Sequence, residues 1–206
     1  MTATLEHIAA NVAREVSVRL PSVLVNGADE TAKNLVFFIS AACEEVSRRV
    51  DWAALEATTQ LAGTGADITF NLPSDYGRLT EGASVFGSDN MPVRGGLSNS
   101  EWAMLNATEE GTPRYYHING PVISFYPYLA NADTVDVLYQ SKNFIGQTKS
   151  VFSADDDVPS PPHEVIEKCA VYRWLRHVGQ EYADYEAEYE ATLRDYASFD
   201  IEDRTP

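Results

Sequence analysis

The sequence predicts an α+β fold: two N-terminal helices plus one long C-terminal helix, with an antiparallel β-sandwich or barrel-like region inserted between them. Three textures in order predict it. Residues 3–50 carry apolar side chains at spacings of three and four. From there to about residue 150 the chain is short alternating runs broken by turn residues. Helical spacing returns over 162–199, crowded with Tyr on one stripe. This order places a helical core at 1–52 and 160–206, with a β-rich domain inserted at 53–159.

The first helix is marked by Leu5, Ile8, Val12 and Val16 on one face. Pro21 ends or bends it, and Asn26-Gly27 makes a turn. Asp29 or Thr31 can cap the second helix, where Leu35, Ile39, Ala42, Val46 and Val50 form another apolar stripe. The texture changes at Trp52. Thr58 to Leu61 and Ile68 to Leu72 read as strands, with the loop 62–67 between them reading as a hairpin. Residues 77–100 hold five glycines and few periodic apolars, so they read as a long excursion of the functional or mobile kind.

Trp102 to Leu105, Tyr115 to Ile118, Val122 to Tyr126 and Val135 to Tyr139 are further strand candidates. Ser160-Pro161-Pro162 opens the last helix, because proline is favoured in a first turn where its missing N–H costs nothing. Val165, Cys169, Tyr172, Leu175, Val178, Tyr182, Tyr185, Tyr189, Leu193 and Tyr196 then follow at helical spacing. As one helix this run would span roughly 57 Å, so its distal half is expected to project toward a partner.

Composition limits the function. At 206 residues, with 44% hydrophobic and 22% charged content, the chain is long enough to fold around a substantial core. The formal net charge is −16, which argues against a surface that grips a phosphate backbone. The same charge serves either plain solubility or a channel wall along which DNA slides without sticking. Cys43 and Cys169 both sit in helical patterns and read as buried free thiols. The opening residues lack the basic n-region and continuous apolar run of a signal peptide, and no stretch suits a membrane span. Use in a reducing cytoplasm, at least initially, is the expectation.

No pattern of residues assembles a catalytic or metal site, and no cofactor is expected. His163-Glu164-Val165-Ile166-Glu167 begins like a zinc-protease helix but has Glu167 where the second imidazole must stand. His7, His117 and His177 fall at no ligand spacing. Asp155-Asp156-Asp157 lacks the glycine and distal Glu of a calcium loop and reads as a solvated turn before the helix. Asn106-Ala107-Thr108 matches a glycosylation acceptor without a secretory context. Asp75, Glu101, Glu109 and Glu110 are available as paired carboxylates for glycoside hydrolysis, but an acid-rich chain supplies such pairs by chance.

Between 181 and 203 nine acids stand against Arg194 alone. Tyr182, Tyr185, Tyr189 and Tyr196 interrupt them, and Phe199 and Ile201 follow. The run is either a solvated helix face or a docking element. As a docking element its anchors would be Tyr189, Leu193, Tyr196, Phe199 and Ile201, because buried aromatic and apolar side chains dominate such contacts.

Taken in order, these pieces resemble the head-to-tail adaptor proteins of tailed bacteriophages, the ring beneath the portal. The resemblance rests on the helical opening ending near Trp52 and the strand running into Leu72-Pro73-Ser74-Asp75-Tyr76. It rests also on Tyr115-Tyr116 with Ile118 and Gly120, on Phe125-Tyr126-Pro127, and on the strand ending Tyr139-Gln140-Ser141-Lys142. Asp155-Asp156-Asp157-Val158-Pro159 leading into the helix around Ala170 to Arg176 completes the set. The ordered combination carries the resemblance, and the stretch 77–100 has no part in it.

The resemblance implies a structural, non-enzymatic subunit of a dodecameric ring at the virion neck, assembled in the host cytoplasm. Its partners would be the portal protein, a tail or nozzle protein and further copies of itself, with DNA passing through unbound and no membrane involved. Some adaptors of this type are associated with cell-wall hydrolysis. A carboxylate glycosidase acting on peptidoglycan is therefore one alternative, and a monomeric glycan-binding β module using Trp102 is another.

Overall fold

The computed structural model describes residues 3–95, 97–105 and 110–202, with side chains described through Asp200. Asn106, Ala107, Thr108 and Glu109 lie outside the described residues, as does the side chain of Ile201. The fold is α+β, with helices at both ends of the chain and antiparallel sheets between them, in agreement with the sequence. The chain divides into two compact units, Met1–Leu55 with Lys142–Pro206, and Glu56–Ser141.

In the helical unit, α1 spans Leu5–Glu15 and α2 spans Glu30–Arg49. The stripe residues Leu5, Ile8, Val12, Leu35, Ile39, Ala42 and Val46 are all fully buried. Each larger one contributes about 1.5–3 kcal/mol relative to exposure. Thr4 caps α1 and Asp29 caps α2, the Asp29 carboxylate accepting the Thr31 N–H at 2.7 Å. Trp52 is buried, and its indole N–H donates to the Val46 carbonyl at 2.8 Å in the last turn of α2.

The acidic triplet before the C-terminal region is part of this scaffold. The backbone carbonyls of Asp157 and Asp155 accept the N–H groups of Leu5 and Glu6, the otherwise unpaired donors that open α1. The Asp155 carboxylate accepts the N–H groups of Leu24 and Val25 at 3.1 and 2.7 Å. Asp157 accepts from Lys149 Nζ at 2.7 Å and from the Ser153 and Ala154 N–H groups. Burial opposes its ionisation, but these donors hold its carboxyl down at about 2.

The continuous C-terminal helix expected over 162–199 is two helices. α4 spans His163–Val178, and after a four-residue turn α5 spans Ala183–Glu202. Gly179 has φ +73°, the left-handed conformation that ends a helix, and its N–H and that of Gln180 return to the carbonyls of Arg176 and Leu175. The apolar stripe continues on both sides of this glycine, so periodicity alone reads through the break.

In the β unit, β1 (Glu56–Ala62), β3 (Tyr76–Leu79) and β4 (Val85–Gly87) all pair antiparallel with β7 (Thr134–Ser141). A second sheet runs β2-β6-β5, from Thr69–Asn71, Val122–Tyr126 and Tyr115–Asn119. Leu72, Val85, Val93, Ile123, Phe125, Leu129, Val135 and Val137 from both sheets and their loops make one buried core.

Three expectations change here. The 62–67 loop joins strands of different sheets instead of closing a hairpin. Gly63 exchanges backbone hydrogen bonds with Asp133 and Ala132 and so keeps following the β7 side. The stretch 77–100 supplies β4 and the buried Val85 and Val93 instead of a free excursion. Within it, a side chain at Gly95 would meet the Tyr116 ring at 2.2 Å, so the absent Cβ leaves room for that ring. Trp102 to Leu105 is no strand: Trp102 lies in the short helix α3, Asn99–Ala103, opened by a capping box between Ser98 and Glu101.

Candidate functional site

The residues singled out for docking lie on α5, so the placement of α5 decides what they can do. Arg176 faces Tyr182, Tyr172 faces Tyr189, Lys168 pairs with Glu188, and Tyr196 reaches Glu164. From Arg176 with Tyr182 beside the turn to Glu164 with Tyr196 far from it, the contacts run down α4 while they run up the chain toward the end of α5. The two helices therefore form an antiparallel hairpin.

The centre of the hairpin is a charged cluster around Glu45 on α2. Glu45 Oε2 accepts from Arg173 Nε at 3.0 Å and from Tyr172 Oη at 3.2 Å, and Arg173 also reaches it through Nη2. Tyr189 Oη donates to Glu45 Oε1 at 3.2 Å. Arg49 lies over the Tyr189 ring and clamps the Glu190 carboxylate with both terminal guanidinium nitrogens, Nη2 to Oε2 at 2.8 Å. The Tyr172 and Tyr189 rings stack, their centroids 5.3 Å apart.

Electrostatics follow from this packing. Burial pushes the Glu45 carboxyl up, but Arg173 and the two phenols outweigh it and hold the group below its ordinary range. Burial raises the Tyr189 phenol strongly and brings Tyr172 up to about 12. Both cysteines are free and buried. Burial raises Cys43 well above the usual thiol range and Cys169 to about 12, so both stay protonated and unreactive.

The five proposed anchors divide. Tyr189 is fully buried and Leu193 is 4% exposed, both within the core of their own subunit. Tyr196 is half-buried, its hydroxyl donating to Glu164 at 2.7 Å. Phe199 is 59% exposed, with its ring edge-on to Tyr196. Of Ile201 only its place in the last turn of α5 is described. The Asp200 carboxylate accepts the Ala53 N–H at 2.8 Å, which holds the end of α5 near Phe199 against the unit. Phe37 on α2 is a further exposed aromatic, 64% exposed, on a helix whose stripe pattern drew no attention to its outer face.

Two of the carboxylates weighed for hydrolysis, Asp75 and Glu101, are engaged in the fold. Asp75 accepts from Tyr139 Oη at 3.0 Å and Ser141 Oγ at 2.9 Å. Glu101 serves its capping box, and the Ser98 hydroxyl and N–H lower its carboxyl, the wrong direction for a general acid. Glu110 lies at an isolated bridge to Tyr128, and Glu109 is outside the described residues. Trp102 stacks on His117 with centroids 5.4 Å apart.

Among the described residues one cluster has the donors for a metal: His7, His163 and Glu167. Sequence spacing shows only its α4 half. No helix of the described residues is long and apolar enough to cross a membrane. No curated protein matches the sequence. The model of the SU10 adaptor protein family matches residues 3–206, nearly the whole chain and both units. The chain belongs to that family, and it is a phage structural adaptor of the head-to-tail kind.

Proposed function

We propose that the protein is the subunit of a homo-oligomeric ring that docks on the portal, extends the DNA channel and offers a platform for a tail or nozzle protein. The family match over residues 3–206 carries this reading. The ring sits at the virion neck after assembly in the host cytoplasm, and its role is structural, without catalysis. A net charge of −16 suits a conduit through which DNA passes without specific contact. Portal docking falls to the end of α5. Phe199 is the outward anchor with Tyr196 beside it, Ile201 follows in the last turn of α5, and Tyr189 and Leu193 fix the helix from beneath.

Phe199→Glu tests the docking surface, because Phe199 is exposed and its loss leaves the buried stripe intact. The expected result is a wild-type thermal transition with portal affinity reduced tenfold or more, roughly the loss of one interface hot spot. Undiminished portal binding by the folded variant contradicts docking through α5.

A further inference from the structure

We propose that His7, His163 and Glu167 form a binding site for a first-row divalent transition metal of the zinc class, which clasps α1 to α4. His7 and Asn11 are one turn apart on α1, and His163 and Glu167 one turn apart on α4. His7 faces His163, their ring centroids 6.1 Å apart, and Asn11 faces Glu167. The two helices thus run in step here, and each presents one layer of donors to the other.

One donor atom from each of His7, His163 and Glu167 lies within 4.8 Å of the others. Asn11 shows how two of them point. Its amide nitrogen is 3.3 Å from His7 Nε2 and 3.0 Å from Glu167 Oε1. An amide nitrogen offers only hydrogens, so with this amide orientation Nε2 carries the imidazole lone pair, the form that ligates metals. The lone pairs of His7 and Glu167 therefore both face the Asn11 amide, and a cation that takes them displaces that amide.

Two imidazoles and one carboxylate suit zinc, nickel or copper, whereas magnesium and calcium prefer all-oxygen sites. Ligand atoms around zinc at its usual bond lengths sit about 3.3–3.6 Å apart, so the cluster must close by at most about 1.5 Å. His7 is exposed and His163 and Glu167 are half-buried, which leaves their side chains free to rotate. Glu164, hydrogen-bonded to Tyr196, stays out of the set.

Zinc titrated into the full chain, stripped of metal beforehand, tests the site by calorimetry and by the NMR signals of the four histidines. The expected result is one-to-one binding in which the His7 and His163 signals move and those of His117 and His177 do not. His7→Ala and His163→Ala should each abolish it. The NMR readout on the unaltered chain stands even where a variant folds poorly. Absence of saturable binding, equal movement of all four imidazole signals, or equal affinity for magnesium overturns the proposal.

Discussion

Glu45 joins three helices through one side chain: α2, which bears it, α4 through Arg173 and Tyr172, and α5 through Tyr189. Glu45→Gln keeps the shape but removes the charge that Arg173 answers. It should cost about 1–3 kcal/mol in urea unfolding, the usual worth of hydrogen bonds to a charged group. The sign with pH follows from linkage. The Glu45 carboxyl titrates below its ordinary 4.5 when folded, so its stabilisation is fully present above that value and is lost as pH falls through the folded value. Glu190, held down by Arg49, and Asp157, held at about 2, act in the same direction. Wild-type stability should fall below about pH 4.5, and the gap between wild type and Glu45→Gln should narrow over the same range. A gap that widens toward acid contradicts the assignment. None of this cluster was legible beforehand. Tyr172 and Tyr189 stood out as stripe residues, but nothing in the sequence pairs Glu45 with an arginine on another helix.

At the scale of elements, the turn at Gly179 has an unusual test, because the two readings of the C-terminal region give opposite signs. In an unbroken helix Gly179→Ala would stabilise by about 1 kcal/mol through helix propensity. In the hairpin the left-handed φ of +73° penalises any Cβ by about 1–2 kcal/mol, although nothing lies within 4 Å of the added atom. Thermal unfolding of Gly179→Ala should show a lower midpoint, and a higher one would restore the single long helix. The helical stripes were legible because each places its apolar residues on one face over several turns. The strands β3 and β4 were not, being only four and three residues long and half-hidden among glycines. The helix α3 carried a readable signal, Ser98 three residues before Glu101, that the aromatic at Trp102 masked. The placement of β1 and β2 in separate sheets depends on backbone pairing with distant β7 and β6, which no local pattern encodes.

For the whole molecule, the adaptor family was legible as an order of pieces, and the match over residues 3–206 bears it out. The fold changes what the C-terminal region offers. Instead of a projecting rod it is a clamped hairpin whose buried tyrosines belong to the subunit, leaving Phe199 as an exposed aromatic near the C-terminal end of α5. A chain of charge −16 gains no help from long-range electrostatics in bringing copies together, so a template that aligns them suits the account. The most direct measurement is the mass of the purified protein by light scattering, alone and then mixed with the portal ring of its own phage. The subunits are expected to join the portal in a fixed multiple and form a closed ring on it. Failure to associate with an intact portal would contradict it.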